Sequence, residues 1–202
     1  MLIVEETTKL IATFYNTEPF LPAALKYPAR KIILIVSTMN PEVKKNVAKL
    51  EEFFGSIVDI EAVVMDEKDE VVDIAKKTVE LIDRESRPNV RLLVSIGGGS
   101  RTLAAGVLYG CYSRPNLVHK ILSNNPSLKE VIELPKLRYN LGEAKRRVLE
   151  KIANRGNKSI NEIAKELRKT RGMLYQHLRE LGDGGYVDDD FKITDAGRLA
   201  LL

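Results

Sequence analysis

The sequence predicts a mixed α/β chain: a mostly parallel sheet domain, then a small helical domain closed by a hairpin. Three observations predict it. Short runs rich in Val, Ile and Leu alternate with amphipathic helical stretches up to residue 134, as in a parallel sheet covered on both faces. From Leu141 the strand runs vanish and short helices replace them. Between the two rhythms lies the connecting stretch Leu134-Pro135-Lys136-Leu137-Arg138-Tyr139-Asn140, so the expected division is 1–134, a linker over 135–141, and 142–202.

Lys9 to Tyr15 reads as a first buried strand and Lys31 to Ser37, with its Ile-Ile-Leu-Ile-Val run, as a second. Pro41 to Phe54 spaces Val43, Val47, Leu50 and Phe54 at helical intervals. Ile57 to Met65 is the third strand. Glu70 to Arg84 is a helix with Val72, Ala75, Val79 and Ile82 as its inner stripe. Val90 to Ile96 is the fourth strand; it runs into Gly97-Gly98-Gly99 and a small-residue helix reaching Tyr112. Leu117 to Leu122 is a fifth strand and Glu130 to Leu134 a sixth. This part reads as a Rossmann-like sheet.

Beyond the linker, Gly142 to Ala153 is a helix. Ser159 and Glu162 have the spacing of a capping box, which starts a second helix, Ile160 to Leu167. Arg168-Lys169-Thr170 turns into a third, Arg171 to Leu181, whose inner face is Leu174, Leu178 and Leu181. Gly182 to Gly185 ends it. Tyr186-Val187 and Phe191-Lys192-Ile193 flank the turn Asp188-Asp189-Asp190, and Thr194-Asp195-Ala196-Gly197-Arg198 opens a last helix.

Composition narrows the function classes. The 202 residues are 44% apolar and 30% charged, enough for a core and a solvated surface. No apolar run has the length of a bilayer span, and no signal-peptide pattern opens the chain, so a cytoplasmic protein without membrane contact is expected. Cys111 is the single cysteine, which excludes an internal disulfide and a cysteine metal site. His119 and His177 are the only histidines. No metal, cofactor or catalytic group is expected. The net charge is +4, and residues 142–202 carry +3 of it, with 13 Lys and Arg against 10 Asp and Glu.

That basic excess falls on a helix, helix, turn, helix and wing, the order of a winged helix-turn-helix. "KTRGMLYQHLRELGDGGYV" with "ITDAGRLALL" resembles winged-helix transcription regulators, which implies double-stranded promoter DNA as partner. Arg171, Tyr175, Gln176 and Arg179 are expected to face the major groove, where Arg reads guanine edges and Gln reads adenine. Lys169 and Thr170 suit phosphate. The three wing-tip carboxylates would be repelled by phosphate, so the wing is expected to avoid the DNA backbone or to touch a basic partner. Arg171 and His177 also fit the Arg-x(4–6)-His spacing of HEPN ribonucleases. Those pairs lie in a larger helical bundle, and the flanks here favour a recognition helix in which His177 packs or hydrogen-bonds.

The stretch "VSIGGGSRTLAAG" has a strand turning through glycines into a helix, a geometry that holds anions at the helix N-terminus. It lacks the third glycine of the dinucleotide fingerprint, having Thr102 there, and it lacks a P-loop lysine. NAD or ATP chemistry is therefore not expected. Other strands also end in small polar residues: Asn16-Thr17, Ser37-Thr38 and Ser123-Asn124-Asn125. Such ends converge where open parallel sheets bind ligands. None offers a nucleophile with a base.

Taken together, the glycine turn "SIGGGSRTLAAGVLYG" and the winged helix resemble the CRISPR-associated Rossmann-fold (CARF) transcription regulators of archaea, of the Csa type. The resemblance covers essentially the whole chain. It implies a homodimer whose shared pocket takes cyclic oligoadenylate, namely cyclic tetra-adenylate. Gly98, Gly99, Ser100 and Arg101 match the family's glycine motif, with Gly97 before them. Asn16, Thr17 and Glu18 fall at its first ligand loop by position only, and Ser37 and Thr38 join the expected ligand set. The implied function is a ligand-responsive regulator of CRISPR-associated genes. Two alternatives stay open: a ring nuclease that cleaves cyclic oligoadenylate, and a winged-helix regulator sensing another metabolite.

Overall fold

The computed structural model describes residues 6–66, 68–125, 130–137, 141–156 and 158–202. Part of the expected linker, residues 138–140, lies outside the described residues. The chain divides into two compact units, Met1–Arg138 and Tyr139–Leu202.

The first unit runs β1 (Thr7–Thr13), α1 (Leu21–Lys26), β2 (Lys31–Val36), α2 (Pro41–Phe54), β3 (Asp59–Val64), α3 (Val71–Glu85), β4 (Val90–Ser95), α4 (Arg101–Ser113), β5 (Val118–Asn125) and β6 (Glu130–Leu134). The sheet order is β3-β2-β1-β4-β5-β6. All pairs are parallel except β5 with β6. The fold class read from the sequence, a Rossmann-like mostly parallel sheet followed by a helix-turn-helix unit, is the one observed. From β1 the chain winds to one side, and after β3 it returns across to β4. The gap between β1 and β4 is thus the topological switch point, where ligands bind in such sheets.

Alternation along the strands gives the sheet two apolar faces. Ile11, Ile33, Ile35, Leu92 and Val94 pack under α3 and α4. Leu10, Ala12, Phe14, Ile32 and Leu34 pack under α1 and α2. Gly106 and Gly110 let α4 lie close on α3: an added Cβ would stand 2.5 Å from Ile74 and 2.6 Å from Thr78 side-chain carbons.

Local chemistry starts most helices. Asn40 accepts a hydrogen bond from the Val43 amide at 2.9 Å, with Pro41 in the first turn of α2. Three details depart from the sequence reading. α1 was not expected; it is one short turn pair opened by Pro22, too brief to show a period. A 3-10 turn, Gly55–Ile57, delays β3 to Asp59. β5 continues through Ser123, Asn124 and Asn125, because these pair antiparallel with Ile132, Val131 and Glu130.

At the other end of the strands, Glu85 is buried against Lys9 (2.7 Å) and Lys31 (3.1 Å). Burial pushes its carboxyl up, but the two ammonium hydrogen bonds outweigh this and hold it at about 2, against an ordinary 4.5. A carboxylate with a depressed folded pKa stabilises the fold above its unfolded pKa, and that contribution is lost as pH falls through the window from 4.5 towards 2. The shift corresponds to roughly 3 kcal/mol at neutral pH. Glu85→Gln is expected to lower stability at pH 7 and to flatten the acid limb. Urea unfolding across this pH range checks it; an unchanged acid slope in the variant would refute the assignment.

The second unit runs α5 (Glu143–Ala153), α6 (Ile160–Glu166), α7 (Arg171–Asp183) and α8 (Asp195–Ala200), around Val148, Leu149, Ile152, Ile163, Leu174, Leu178 and Leu181. The capping box at Ser159 and Glu162 is formed in both directions. Thr170 caps α7 and Thr194 caps α8. Val187 and Ile193 form the antiparallel bridge of the wing.

Candidate functional site

At the switch point the glycine turn is pressed against two neighbours. The Gly98 amide donates to Thr13 Oγ1 at 3.2 Å, tying the turn to the end of β1. A Cβ on Gly98 would meet the Thr13 carbonyl oxygen at 2.5 Å, and one on Gly97 the Asn124 amide at 2.6 Å. Gly99 has φ +72, a left-handed conformation that favours glycine. Gly98 is therefore required by packing against backbone and Gly99 by its backbone conformation, before any ligand is considered, whereas Gly97 meets only the end of the Asn124 side chain.

What packing does not explain is the start of α4. Ser100 caps it, accepting from the Leu103 amide at 3.2 Å. No acidic residue lies in its first turn. Arg101, the first helical residue, is exposed and has no hydrogen-bond or ion-pair partner among the described residues. A cation there opposes the helix dipole by about 0.3–1 kcal/mol, so the fold gains nothing from it. The amides of Arg101 and Thr102, the first two of the helix, have no intrahelical acceptor. Cation and amides together suit phosphate.

Beside the turn is a cavity of about 440 Å³ lined by Glu18, Gly97, Ser123, Asn124, Asn125 and Glu130, with Pro19, Pro22 and Ile96. Asn124 Nδ2 donates to the Pro19 carbonyl, while its Oδ1 is buried without a partner. Amides, a hydroxyl and two carboxylates suit a base or ribose rather than a phosphate.

The structure thus brings Glu18 and Gly97 into one cavity and holds Gly98 to Arg101 at its side. Asn16 is exposed and Thr17 half-buried, the Thr17 carbonyl accepting from Phe20 and Leu21 as α1 begins. Ser37 and Thr38 are half-buried after β2 and do not line the cavity. Glu130 was missed, because only the antiparallel β5–β6 pairing places it opposite Asn125. Cys111 is fully buried, and burial pushes its thiol up, so it is no nucleophile at neutral pH.

In the second unit, ion pairing selects which cations stay available. Lys145, Arg146, Arg147, Lys151, Lys158, Lys192 and Arg198 each meet a carboxylate. Among the described residues, Arg155, Lys165, Arg168, Lys169, Arg171 and Arg179 do not; Arg155 donates instead to the Lys158 carbonyl at 2.9 Å, and the other five lie on α6, the turn or α7. Arg171 and Arg179 are exposed, as is Gln176, whose amide also meets Glu180 at 3.2 Å. Tyr175 is half-buried, its ring beneath the Arg171 guanidinium and edge-on to Phe191. Thr170 spends its oxygen on the Met173 amide. Met173, half exposed beside these residues, was not singled out by sequence. His177 Nδ1 is buried without a partner. It sits about 240° around the helix from Arg171, so the two do not converge.

These features define a class: a Rossmann-like α/β unit followed by a winged helix-turn-helix. Residues 142–189 match the profile described as "Bacterial regulatory protein, arsR family". The second unit is accordingly a helix-turn-helix regulator domain. No curated protein matches the chain. Among solved structures the chain is similar to Csm6 from Enterococcus italicus, bound to cyclic hexa-2'-fluoro-hexa-dAMP, with TM-score 0.53 and 11% identity over 89% of this chain and 55% of that one. It is also similar to Can2 from Sulfobacillus thermosulfidooxidans in complex with cyclic tetra-adenylate (TM-score 0.46, 15% identity, 98% and 64% covered). A type III CRISPR defence DNA nuclease activated by cyclic oligoadenylate is a third (TM-score 0.49, 13%, 88% and 34%). The chain spans less than two thirds of each of these structures. At such identities the likeness is one of fold. No described helix is long and apolar enough to cross a membrane.

Proposed function

We propose that the chain is a ligand-responsive transcription regulator of CRISPR-associated genes. Its Rossmann-like unit senses cyclic oligoadenylate, and its winged helix binds promoter DNA as a homodimer. The observation that carries the ligand half is the partnerless Arg101 at an uncompensated helix terminus, set beside an amide-lined cavity at the switch point. The fold shared with Csm6, bound to its cyclic hexanucleotide, supports the same reading. The DNA half rests on the arsR-type match and on the five available cations around α7. A cyclic ligand with an even number of repeats suits two copies of this site related by a two-fold axis.

Calorimetry against cyclic tetra-adenylate, cyclic hexa-adenylate and linear oligoadenylates tests the ligand half. Saturable binding of the cyclic tetramer with one ring per two chains is expected. Absence of binding to every member of the panel removes the ligand claim. Chromatography of the same mixtures reads the alternative directly, because linear products would make the chain a ring nuclease. Light scattering at micromolar concentration is expected to give the dimer mass.

A further inference from the structure

α6 ends in a Schellman motif: the Lys169 amide donates to the Ala164 carbonyl at 2.9 Å and the Arg168 amide to the Lys165 carbonyl at 3.0 Å. This geometry puts Arg168 in the left-handed region, at φ 51. Glycine is the residue that takes such a position without strain. The chain follows that rule elsewhere, at Gly55, Gly99, Gly156 and Gly185. Among the described residues only Phe191, φ 56, and Arg168 break it. Phe191 has an internal reason, since its ring packs edge-on against Tyr175 at 5.8 Å. Arg168 has none: it is exposed, and no carboxylate, ring or carbonyl of the described residues meets its guanidinium.

A strained, exposed, partnerless cation in the turn of a helix-turn-helix stabilises nothing within the fold. We infer that Arg168 is a phosphate-binding residue of the DNA interface, three positions before the recognition helix, where its charge fixes the register of that helix on the duplex without reading bases. Sequence reasoning stopped at Lys169 and Thr170. The inference rests on the DNA-binding reading above. It differs from an ordinary surface arginine in one respect: the residue that the backbone prefers and the residue that DNA prefers are different.

That conflict gives the test. Arg168→Gly removes the charge and the strain together, and Arg168→Lys keeps the charge. The full-length parent and both variants are measured by thermal unfolding and by fluorescence anisotropy. The duplexes are the promoter fragment upstream of the protein's own gene and an unrelated sequence, over a salt series. Arg168→Gly is expected to melt higher than the parent, yet to bind both duplexes more weakly by similar factors. Its salt slope should be shallower by about two units, the mark of one lost phosphate contact in each subunit of the homodimer. Arg168→Lys is expected to hold most of the parent affinity and slope. Parent-like affinity and slope in Arg168→Gly overturn the inference while leaving the DNA reading intact. A lower melting point for Arg168→Gly overturns the strain argument on which it stands. Failure of the parent to bind either duplex at low salt removes the DNA reading itself.

Discussion

Replacing both outward arginines of α7, Arg171→Ala with Arg179→Ala, is expected to abolish selective promoter binding while leaving the fold intact. Each side chain is exposed and meets no carboxylate among the described residues, so the folded unit loses only the cation–π contact of Arg171 over Tyr175. The complex loses more. A guanidinium bidentate to a guanine edge discriminates by roughly 1–3 kcal/mol, so the pair amounts to roughly 2–6 kcal/mol, or about thirtyfold to twenty-five-thousandfold in affinity. In a homodimer every such loss occurs twice. The single variants separate the two positions, since a base-reading arginine relaxes sequence choice and a phosphate-binding one weakens all duplexes alike. Lys169→Ala belongs to the second kind. Anisotropy titrations with matched and scrambled promoter duplexes read the difference. Affinity of the double variant within twofold of the parent would show that α7 is not the reading helix.

The sequence displayed these parts unequally, and the reasons are physical. The strands β2 and β4 are buried on both faces, so their apolar runs are continuous and unmistakable. The capping box at Ser159 and the Leu174, Leu178 and Leu181 stripe are local chemistry, legible within a few residues. The short α1 carries no period, and its place in the cavity wall depends on the Asn124 amide reaching the Pro19 carbonyl, a contact spanning more than half the chain. Ser123 to Asn125 read as a loop because polar residues end an apolar run; they are strand because β6 pairs with them, a long-range contact that no local pattern displays. Glu130 was invisible for the same reason. The glycine triplet reads as a ligand feature from sequence, whereas Gly98 answers first to the Thr13 carbonyl and Gly99 to its own left-handed backbone. What remains suggestive of a ligand is the residue after them.

Arg101→Ala is the substitution that separates a ligand site from a mere turn. It is expected to weaken cyclic tetra-adenylate binding at least tenfold, since a charge-assisted hydrogen bond is worth about 1.5–3 kcal/mol and about 1.4 kcal/mol is a factor of ten. The melting temperature is expected to hold or rise slightly, because a cation at the N-terminus of α4 opposes the helix dipole and has no partner to lose among the described residues. Gly98→Val provides the contrast. Its side chain would drive into the Thr13 carbonyl, backbone at the end of the central strand β1 that is held in register with β2. That variant is expected to lose stability and ligand binding together. The winged helix, with its own core, should continue to bind DNA at temperatures where the variant's first unit remains folded. A purely structural arginine would behave differently: its loss would lower the melting point and leave affinity alone. Calorimetry and thermal unfolding on the same Arg101→Ala preparation decide, and unchanged affinity for the cyclic tetramer removes Arg101 from the site.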